Sequence, residues 1–268
     1  MDLSNIKIVF VDIDGTLVTT TKEITEKTKN SIKRVVDKGI KVVLVSGRDV
    51  VHTVAFSKNS NSSGIVISCG GARIYDYENN INILEDYFSY DKVLALWNYS
   101  IDNEVGLILK SNTAVYHNKY SLVTNGIKYK PIDTIKDITD FHVSQFLLMS
   151  NDHKKIDNVY KYVIGKGMYV TSLSLSYFEN RVSNYYGIDV NNSDVSKGTA
   201  IKKLLKYLGI KKEESICFGD YINDIEMFKE SGFKVAMGNS IQEIKDMADF
   251  VTKSNDEDGL SYFLDTYL

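Results

Sequence analysis

Two aspartates separated by one residue stand directly after an apolar run near the start of the chain. Residues 6–11 are Ile-Lys-Ile-Val-Phe-Val, and Asp12, Asp14 and Gly15 follow. Side chains two residues apart on an extended strand share a face, and a turn just past the strand end would let both carboxylates reach one ligand. A carboxylate can attack phosphorus to form an aspartyl-phosphate, which divides a difficult hydrolysis into two easier steps. The pair therefore favours one nucleophile and one proton donor.

Polar clusters also follow three other apolar runs, namely Ser46-Gly47-Arg48, Cys69-Gly70-Gly71 and Gly219-Asp220. In open α/β sheets, ligands bind outside the carboxyl ends of the strands. We therefore expect Asp12, Asp14, Asp220 and Asp224 to share one small volume. Crowded carboxylates repel one another and resist ionising together. A hard divalent cation with oxygen ligands relieves that repulsion, and the pattern predicts Mg²⁺.

A second group of residues predicts that phosphate binds at the same place. Lys197 lies in the first turn of a predicted helix, where the helix dipole disfavours a cation unless an anion binds there too. Ser46 supplies a short hydroxyl donor, and Gly47 belongs to the same loop. Gly15 and Thr16 can offer backbone N–H groups to phosphate oxygens. The chain has no Walker A sequence, so this is not the P-loop arrangement.

Each of these motifs has an ordinary structural explanation when it is taken alone. Asp-x-Asp-Gly also occurs in calcium-binding loops, but Leu17 stands where such a loop requires glycine, and a strand precedes it rather than a helix. Lys-Gly is usually a solvated helix start, and Gly-Asp and Ser-Gly-Arg are usually turns. Their joint occurrence, each at a predicted strand end or helix start, favours a functional site.

The elements that must position these residues alternate between strand and helix. Apolar runs and capping signals predict strands at 6–11, 40–45, 64–68, 215–218 and 233–236, and helices at 25–38, 196–208, 223–232 and 241–248. We expect Asn223 or Asp224 to cap the third of these helices. The alternation predicts an α/β fold with a Rossmann-like parallel-sheet core and helices on its faces.

The middle of the chain has a different pattern. Residues 87–186 are rich in Tyr, Ser and Asn, and they combine helical stretches at 92–99 and 155–164 with alternating segments such as 168–175. Alternation predicts half-exposed strands of an antiparallel sheet. We therefore predict an α+β domain at 87–186, inserted between core segments 1–86 and 187–268.

Composition limits the class of protein. The 268 residues carry a formal net charge of −3 with both signs mixed, which argues against nucleic acid as the main partner. No apolar run is long enough to span a membrane, and the first residues lack a signal-peptide pattern. Two cysteines are too few for a disulfide framework and predict reduced thiols in a cytoplasmic protein. The richness in Lys, Asn, Ile and Tyr fits an AT-rich bacterial genome, and the oligomeric state is expected to be monomer or homodimer.

Taken together, these motifs resemble the haloacid dehalogenase superfamily of phosphatases, specifically the Cof-type branch with an inserted C2 cap. The resemblance spans the core and rests on residues 12–17 (Asp-Ile-Asp-Gly-Thr-Leu), 46–48 (Ser-Gly-Arg), 196–198 (Ser-Lys-Gly) and 219–224 (Gly-Asp-Tyr-Ile-Asn-Asp). Residues 236–240 (Ala-Met-Gly-Asn-Ser) resemble a further loop that is typical of this branch.

The resemblance implies a Mg²⁺-dependent phosphatase that hydrolyses small phosphomonoesters, either sugar phosphates or phosphorylated cofactors such as pyridoxal phosphate or FMN. It implies that Asp12 is the nucleophile and that Asp14 is the general acid and base. Ser46 and Lys197 would hold the transferring phosphoryl group. The implied ligands of Mg²⁺ are the Asp12 carboxylate, the Asp14 backbone carbonyl and Asp220, with Asn223 and Asp224 supporting.

Two positions depart from the family pattern. Gly70-Gly71-Ala72 stands where Asn-Gly-Ala is common, and this removes a side-chain amide near the expected hinge of the cap. Ser240 stands where alanine is usual, which we expect to matter little. The core catalytic positions are all retained, so the resemblance implies an active enzyme.

The inserted domain is expected to exclude water and to recognise the part of the substrate beyond its phosphate. Its tyrosines Tyr177, Tyr185 and Tyr186 could stack on a ring, although ordinary packing or a surface position is the favoured explanation for any one of them. Arg181 could contact an anion, although a solvated position explains it at least as well. Two rival functions are a phosphomutase of the same superfamily and, less in keeping with a large cap, a receiver-like phospho-acceptor domain.

Overall fold

The computed structural model describes residues 3–123, 129–174 and 185–268. The chain divides into two compact units. The core unit comprises Met1–Leu84 and Ser196–Leu268, and the inserted unit comprises Glu85–Val195. In the part of the chain that is described, every helix is too short or too polar to cross a bilayer.

Both units contain strands and helices. The strands are β1 (Ile8–Asp12), β2 (Lys41–Val45), β3 (Ile65–Ser68), β4 (Arg73–Asp76), β5 (Ile81–Glu85), β6 (Gly106–Ser111), β7 (Val115–His117), β8 (Lys130–Pro131), β9 (Val143–Ser150), β10 (Met168–Ser174), β11 (Tyr186–Asn192), β12 (Ser215–Gly219), β13 (Phe233–Ala236) and β14 (Phe250–Val251). The helices are α1 (Glu26–Asp37), α2 (Val50–Asn59), α3 (Tyr90–Asp102), α4 (His153–Gly165), α5 (Lys197–Leu208), α6 (Ile225–Glu230), α7 (Gln242–Met247) and α8 (Gly259–Tyr267).

The core unit is built on one sheet with strand order β14-β13-β12-β1-β2-β3-β4-β5. Its strands from β14 to β3 are parallel, and β4 pairs antiparallel with β3. The predicted α/β class and parallel sheet are confirmed. Strands β1 and β12 are direct neighbours, with Val11 opposite Phe218. The residues that follow these two strands therefore emerge side by side at one sheet edge.

Strand β1 is buried on both of its faces, as its continuous apolar sequence predicts. Val9 and Val11 pack in one hydrophobic layer with residues of α1 and α8. Ile8 and Phe10 pack in the opposite layer with residues of α5 and α6. The fully buried strand holds its last residue, Asp12, at a fixed position between the two layers.

Capping side chains fix where the core helices begin. The Thr25 hydroxyl accepts a hydrogen bond from the Thr28 N–H at the start of α1, and the Ser196 hydroxyl accepts one from the Thr199 N–H at the start of α5. Gly209 follows the last residue of α5, and its φ of +66° gives the left-handed C-cap that glycine favours.

The start of α6 differs from the prediction. Asp224 is the N-cap residue, but its carboxylate makes no capping hydrogen bond to the helix. It accepts instead from the backbone N–H groups of Asp220 and Tyr221 and from Lys197. The carboxylate is thus committed to the neighbouring loop and to the site.

The inserted unit has a six-stranded sheet with order β10-β11-β9-β6-β7-β8, antiparallel except for the β7–β8 pair. Helices α3 and α4 pack on one face, where Trp97 and Val159 join Phe146 and Leu148 of the sheet in one cluster. The predicted antiparallel α+β character of this segment agrees with these pairings.

The second boundary between the units differs from the expected position. The returning core segment was expected to start at residue 187, but β11 is hydrogen-bonded to β9 and β10 of the inserted sheet. The inserted unit consequently extends to Val195, and the core unit resumes at Ser196.

Candidate active site

The Asp12 side chain lies at the end of β1 in a buried position. Its Oδ1 accepts a hydrogen bond of 2.5 Å from the Lys197 Nζ. Burial raises the pKa of Asp12 well above its usual value, and the nearby Asp224 and Asp220 carboxylates add to this effect, whereas Lys197 opposes it. A buried carboxylate in this position needs positive charge to stay ionised.

Lys197 provides part of that charge from the first residue of α5. Its Nζ donates to Asp12 Oδ1 and, at 2.7 Å, to Asp224 Oδ1. Burial favours the neutral amine, but the two carboxylates outweigh burial and raise the Lys197 pKa above its ordinary value. The lysine is therefore a fixed ammonium, although it lies at a helix start where the dipole disfavours a cation.

Asp220 and Asp224 come from the turn after β12. Asp224 Oδ2 accepts from the N–H groups of Asp220 at 2.9 Å and Tyr221 at 3.2 Å. Asp220 Oδ1 accepts from the Thr16 hydroxyl at 3.1 Å. Burial, followed by the charge of Asp224, raises the Asp220 pKa to about 7. The turn thus holds two acidic side chains beside the end of β1.

The carboxylates of Asp12, Asp220 and Asp224 converge, with ligand oxygens within 4.8 Å of one another. Three carboxylates share this volume with the Lys197 ammonium, and Asp12 and Asp220 have raised pKa values. The set is rich in oxygen ligands and short of positive charge, which suits a hard divalent cation such as Mg²⁺.

The Asp14 carboxylate, which was expected in the same volume, is held by cations instead. Arg48 Nε donates to Asp14 Oδ2 at 2.8 Å, and Arg48 Nη2 donates to Oδ1 at 2.7 Å. Lys22 Nζ also contacts Oδ1 at 3.2 Å. Burial acts to raise the Asp14 pKa, but the hydrogen bonds and charge of Arg48 outweigh it and lower the pKa.

The loop after β1 depends on glycine. Gly15 has a φ of +83°, and a Cβ there would overlap the Asp220 carboxylate. Its carbonyl accepts from the Asn239 amide at 2.8 Å, and Asn239 Oδ1 accepts from the Asn255 N–H at 2.9 Å. The loop that carries Gly15 and Thr16, both predicted phosphate contacts, is therefore held in place by hydrogen bonds through Asn239, which lies far from it in the sequence.

The loops after β2 and β3 are joined by their backbones. Ser46 is buried, and its hydroxyl accepts from the Arg48 N–H at 3.1 Å, while Gly47 beside it is half-buried. The Gly70 N–H donates to the Ser46 carbonyl at 3.0 Å. Gly70 has a φ of +66°, a conformation that asparagine also tolerates, so the departure at this position keeps the backbone geometry and loses only the amide.

The other predicted site residues have simple placements. Asn223 is half-buried in the turn after β12. Ser240 donates from its hydroxyl to the Gly219 carbonyl at 3.2 Å, which adds a bond that alanine would lack. Tyr185 packs on the small cluster of Ile108, Leu147 and Met149, and Tyr186 meets the His153 ring edge-on, so both have packing roles. Tyr177 and Arg181 lie outside the described residues.

Sequence reasoning overlooked Arg48, Lys22 and Asn239 as functional residues. Arg48 and Asn239 belonged to motifs already identified, but nothing in their spacing indicated which groups they would contact. Lys22 carried no signal, since an exposed lysine in a polar turn is ordinary.

Comparison with known proteins identifies the family. The model of the haloacid dehalogenase-like hydrolases matches residues 9–264. The chain belongs to the haloacid dehalogenase-like hydrolases. This hydrolase is 28% identical to the 5-amino-6-(5-phospho-D-ribitylamino)uracil phosphatase YcsE of Bacillus subtilis. The aligned region of 259 residues covers 96% of this chain and 94% of that protein.

Solved structures agree on the fold of this hydrolase. A haloacid dehalogenase-like hydrolase from Bacteroides thetaiotaomicron matches with a TM-score of 0.82 at 24% identity, over 98% of this chain and 100% of that one. A subclass IIB sugar phosphatase of the same superfamily matches with a TM-score of 0.76 at 22% identity, over 97% and 98% of the two chains. The predicted family is confirmed, and the protein is a phosphatase, a hydrolase of phosphoric monoesters.

Proposed function

We propose that this hydrolase removes phosphate from small phosphorylated metabolites through an aspartyl-phosphate formed on Asp12, with Mg²⁺ as cofactor. The observation that carries the proposal is the convergence of the Asp12, Asp220 and Asp224 carboxylates, two of which, Asp12 and Asp224, pair with the buried Lys197 ammonium. A nucleophilic carboxylate, a fixed cation and a set of oxygen ligands are the parts that phosphoryl transfer requires.

The Mg²⁺ ion would be held by the carboxylates of Asp12, Asp220 and Asp224 and by the Asp14 backbone carbonyl, with Asn223 in support. Bound there, the ion supplies positive charge that offsets the charge on the phosphoryl oxygens. The fit rests on the donor set, since the carboxylates of Asp12, Asp220 and Asp224 converge beside the Lys197 ammonium, and burial raises the pKa values of Asp12 and Asp220. Oxygen ligands of this kind suit Mg²⁺.

The reaction then follows from the residues of the chain. An Asp12 carboxylate oxygen attacks phosphorus, and the bond between phosphorus and the ester oxygen breaks. Asp14 gives a proton to the departing alcohol and next takes a proton from the water that attacks the aspartyl-phosphate. The P–O bond to Asp12 breaks, orthophosphate leaves and the carboxylate is restored. Lys197, Ser46 and the N–H groups of the Gly15, Thr16 and Gly47 backbone hold the phosphoryl oxygens.

We assign substrate recognition to the inserted unit, acting as a cap, because the roles proposed above for the core residues concern mainly the phosphoryl group. The relatives named above include a phosphatase of a phosphorylated ribitylaminouracil and a sugar phosphatase, so both sugar phosphates and phosphorylated cofactors belong in the candidate set. Cys69 and Cys217 are buried thiols, which fits the proposed cytoplasmic location. We propose a bacterial origin and a monomer or homodimer.

Orthophosphate release from a panel of phosphorylated sugars and cofactors tests the proposal. We expect turnover with Mg²⁺, little with EDTA, and none from Asp12→Asn, which keeps the side-chain shape but removes the nucleophile. Asp37→Asn, an exposed residue of α1 that pairs with Lys33, is the matched control and should match the wild type. Full activity in Asp12→Asn, or in EDTA, would contradict the mechanism, and conversion of a hexose phosphate to its isomer without phosphate release would indicate a mutase.

A further inference from the structure

The Asp14 carboxylate is held in a two-bond fork by a residue to which no function has been given. Arg48 Nε and Nη2 bind the two oxygens of Asp14 separately, at 2.8 and 2.7 Å. Such a planar pair fixes both the distance and the orientation of the carboxylate. Lys22 makes a single contact of 3.2 Å to one oxygen from an exposed side chain, so it adds charge but little direction.

Arg48 is itself held on several sides. Its guanidinium carbon lies 4.9 Å from the centre of the Phe56 ring on α2. Its N–H donates to the Ser46 hydroxyl at 3.1 Å, and its carbonyl accepts from the Cys69 N–H at 2.8 Å. Phe56 packs in turn against the core layer on one face of the sheet. The orientation of Asp14 is therefore tied to the rigid part of the core.

A proton donor needs this kind of support. Asp14 is only half-buried, and its carboxylate is held by side chains from other parts of the chain, chiefly by the two bonds from Arg48. Proton transfer requires the donor within about 2.6–3.2 Å of the accepting oxygen. Asp14 Oδ1 accepts from both Arg48 and Lys22, whereas Oδ2 accepts from Arg48 and keeps a second acceptor site, through which it can bind or release a proton.

We infer that Arg48 is a positioning residue that aims the Asp14 carboxylate at the leaving oxygen of the substrate. The inference rests on the proposed function, in which Asp14 is the proton donor. In this role Arg48 touches Asp14 and no reacting atom. Substitution of Arg48 should therefore slow hydrolysis most for those substrates whose leaving group must be protonated.

Two esters of almost the same size separate that role from a structural one. Phenyl phosphate has a poor leaving group that needs protonation, whereas 4-nitrophenyl phosphate has a good one that does not. The measured quantity is kcat/KM for each ester with Mg²⁺, because it covers steps only up to release of the alcohol and omits hydrolysis of the aspartyl-phosphate. We expect Arg48→Met to lower kcat/KM for phenyl phosphate about tenfold more than for the nitrophenyl ester, a fraction of the roughly 10²–10⁴-fold that general acid catalysis contributes.

Conservative and remote variants complete the experiment. Arg48→Lys keeps the charge without the fork and should show the same selective loss, and Phe56→Leu should show a smaller one. Arg34→Met removes an arginine that pairs with Asp265 on the core surface and should leave the ratio of the two esters unchanged. Circular dichroism of each variant checks that it is folded.

The outcomes distinguish this inference from the proposed function. The positioning role would be overturned if Arg48→Met lowered kcat/KM equally for both esters, or if Arg48→Lys kept the wild-type ratio of the two kcat/KM values. The proposed mechanism would still stand in that case, provided that Asp14→Asn showed the selective loss for phenyl phosphate. An Asp14→Asn variant without selective loss would overturn the proton donor and the inference together. Selective losses in Asp14→Asn, Arg48→Met and Arg48→Lys support both.

Discussion

Lys197 balances charge at the buried site. The Lys197 ammonium lies between Asp12 and Asp224, and all three groups are buried. Two carboxylates in a low-dielectric environment repel each other strongly, and removing the cation between them leaves both uncompensated. We therefore expect Lys197 to stabilise the fold in addition to its proposed role in phosphate binding.

We expect Lys197→Met to lower the free energy of unfolding by about 3–5 kcal/mol in EDTA, the usual cost of breaking a buried ion pair on one side. Urea unfolding followed by circular dichroism measures the change. Lys203→Met is the matched control, since Lys203 is exposed on the same helix and should change stability by no more than about 0.5 kcal/mol. Equal stability of the two variants would contradict a structural role for Lys197.

The residues that converge on the site were predictable, but the direction of one side chain was not. Asp12, Asp220 and Asp224 end or follow neighbouring parallel strands, so topology alone brings them together. The orientation of Asp14 depends on Arg48, which lies 34 positions later in the chain. The Arg48 guanidinium donates one hydrogen bond to each oxygen of the Asp14 carboxylate and holds it away from the other three carboxylates. No local pattern in the sequence encodes such a choice.

At the scale of elements, close backbone contact positions the start of α5. A Cβ at Gly71 would overlap the Ser196 carbonyl oxygen, and the φ of Gly71 is +108°. The loop after β3 thus packs directly against the residue that caps α5. Because Lys197 follows Ser196, this contact also fixes the position of the Lys197 backbone, from which the ammonium group extends.

Substituting alanine at Gly71 should cost more than the same change at the other end of α5. Gly209 has a φ of +66° and open space within 4 Å of the point where a Cβ would lie, so Gly209→Ala should cost only the left-handed strain of about 1–2 kcal/mol. Gly71→Ala adds a backbone clash, and overpacking typically costs a further 1–3 kcal/mol or so. Denaturant unfolding of both variants measures the difference, and a Gly71→Ala variant as stable as Gly209→Ala would refute the contact.

Elements with a local signal were predictable, and those defined by distant pairing were not. Strand β1 is continuously apolar and α5 has both a serine cap and a glycine stop, so their bounds were predicted to within two residues. Strand β11 gave no sign of which sheet it joins, because its partners β9 and β10 decide that through hydrogen bonds. The boundary at 187 was misplaced for this reason.

At the scale of the whole molecule, the carboxylate cluster joins two distant segments of the chain. Asp12 comes from the segment before the inserted unit, whereas Asp220 and Asp224 come from the segment after it. A cation bound by all three can bind only when both segments are folded together. Its binding free energy is then added to the stability of the core unit.

We therefore expect Mg²⁺ to raise the melting temperature of the full chain and EDTA to reverse the effect. The stabilisation follows mass action and reaches about 2.7 kcal/mol when the ion is at 100 times its dissociation constant. Asp220→Asn should behave oppositely in the two conditions. Burial raises the pKa of Asp220 to about 7, so its ionised form is costly without a cation, and the neutral amide should be at least as stable as the wild type in EDTA.

With Mg²⁺ the same variant has lost an anionic ligand, so its melting temperature should rise far less than that of the wild type. Differential scanning fluorimetry across a Mg²⁺ series measures both effects, with Asp37→Asn as an acidic surface control that should keep the full wild-type shift. An equal Mg²⁺ shift in Asp220→Asn would place the cation elsewhere. The amide oxygen of the Asp220→Asn variant can still accept the hydrogen bond from the Thr16 hydroxyl, so loss of that bond would not explain a lower stability. If Asp220→Asn is less stable than the wild type in EDTA, the charge of Asp220 must therefore be compensated without a metal.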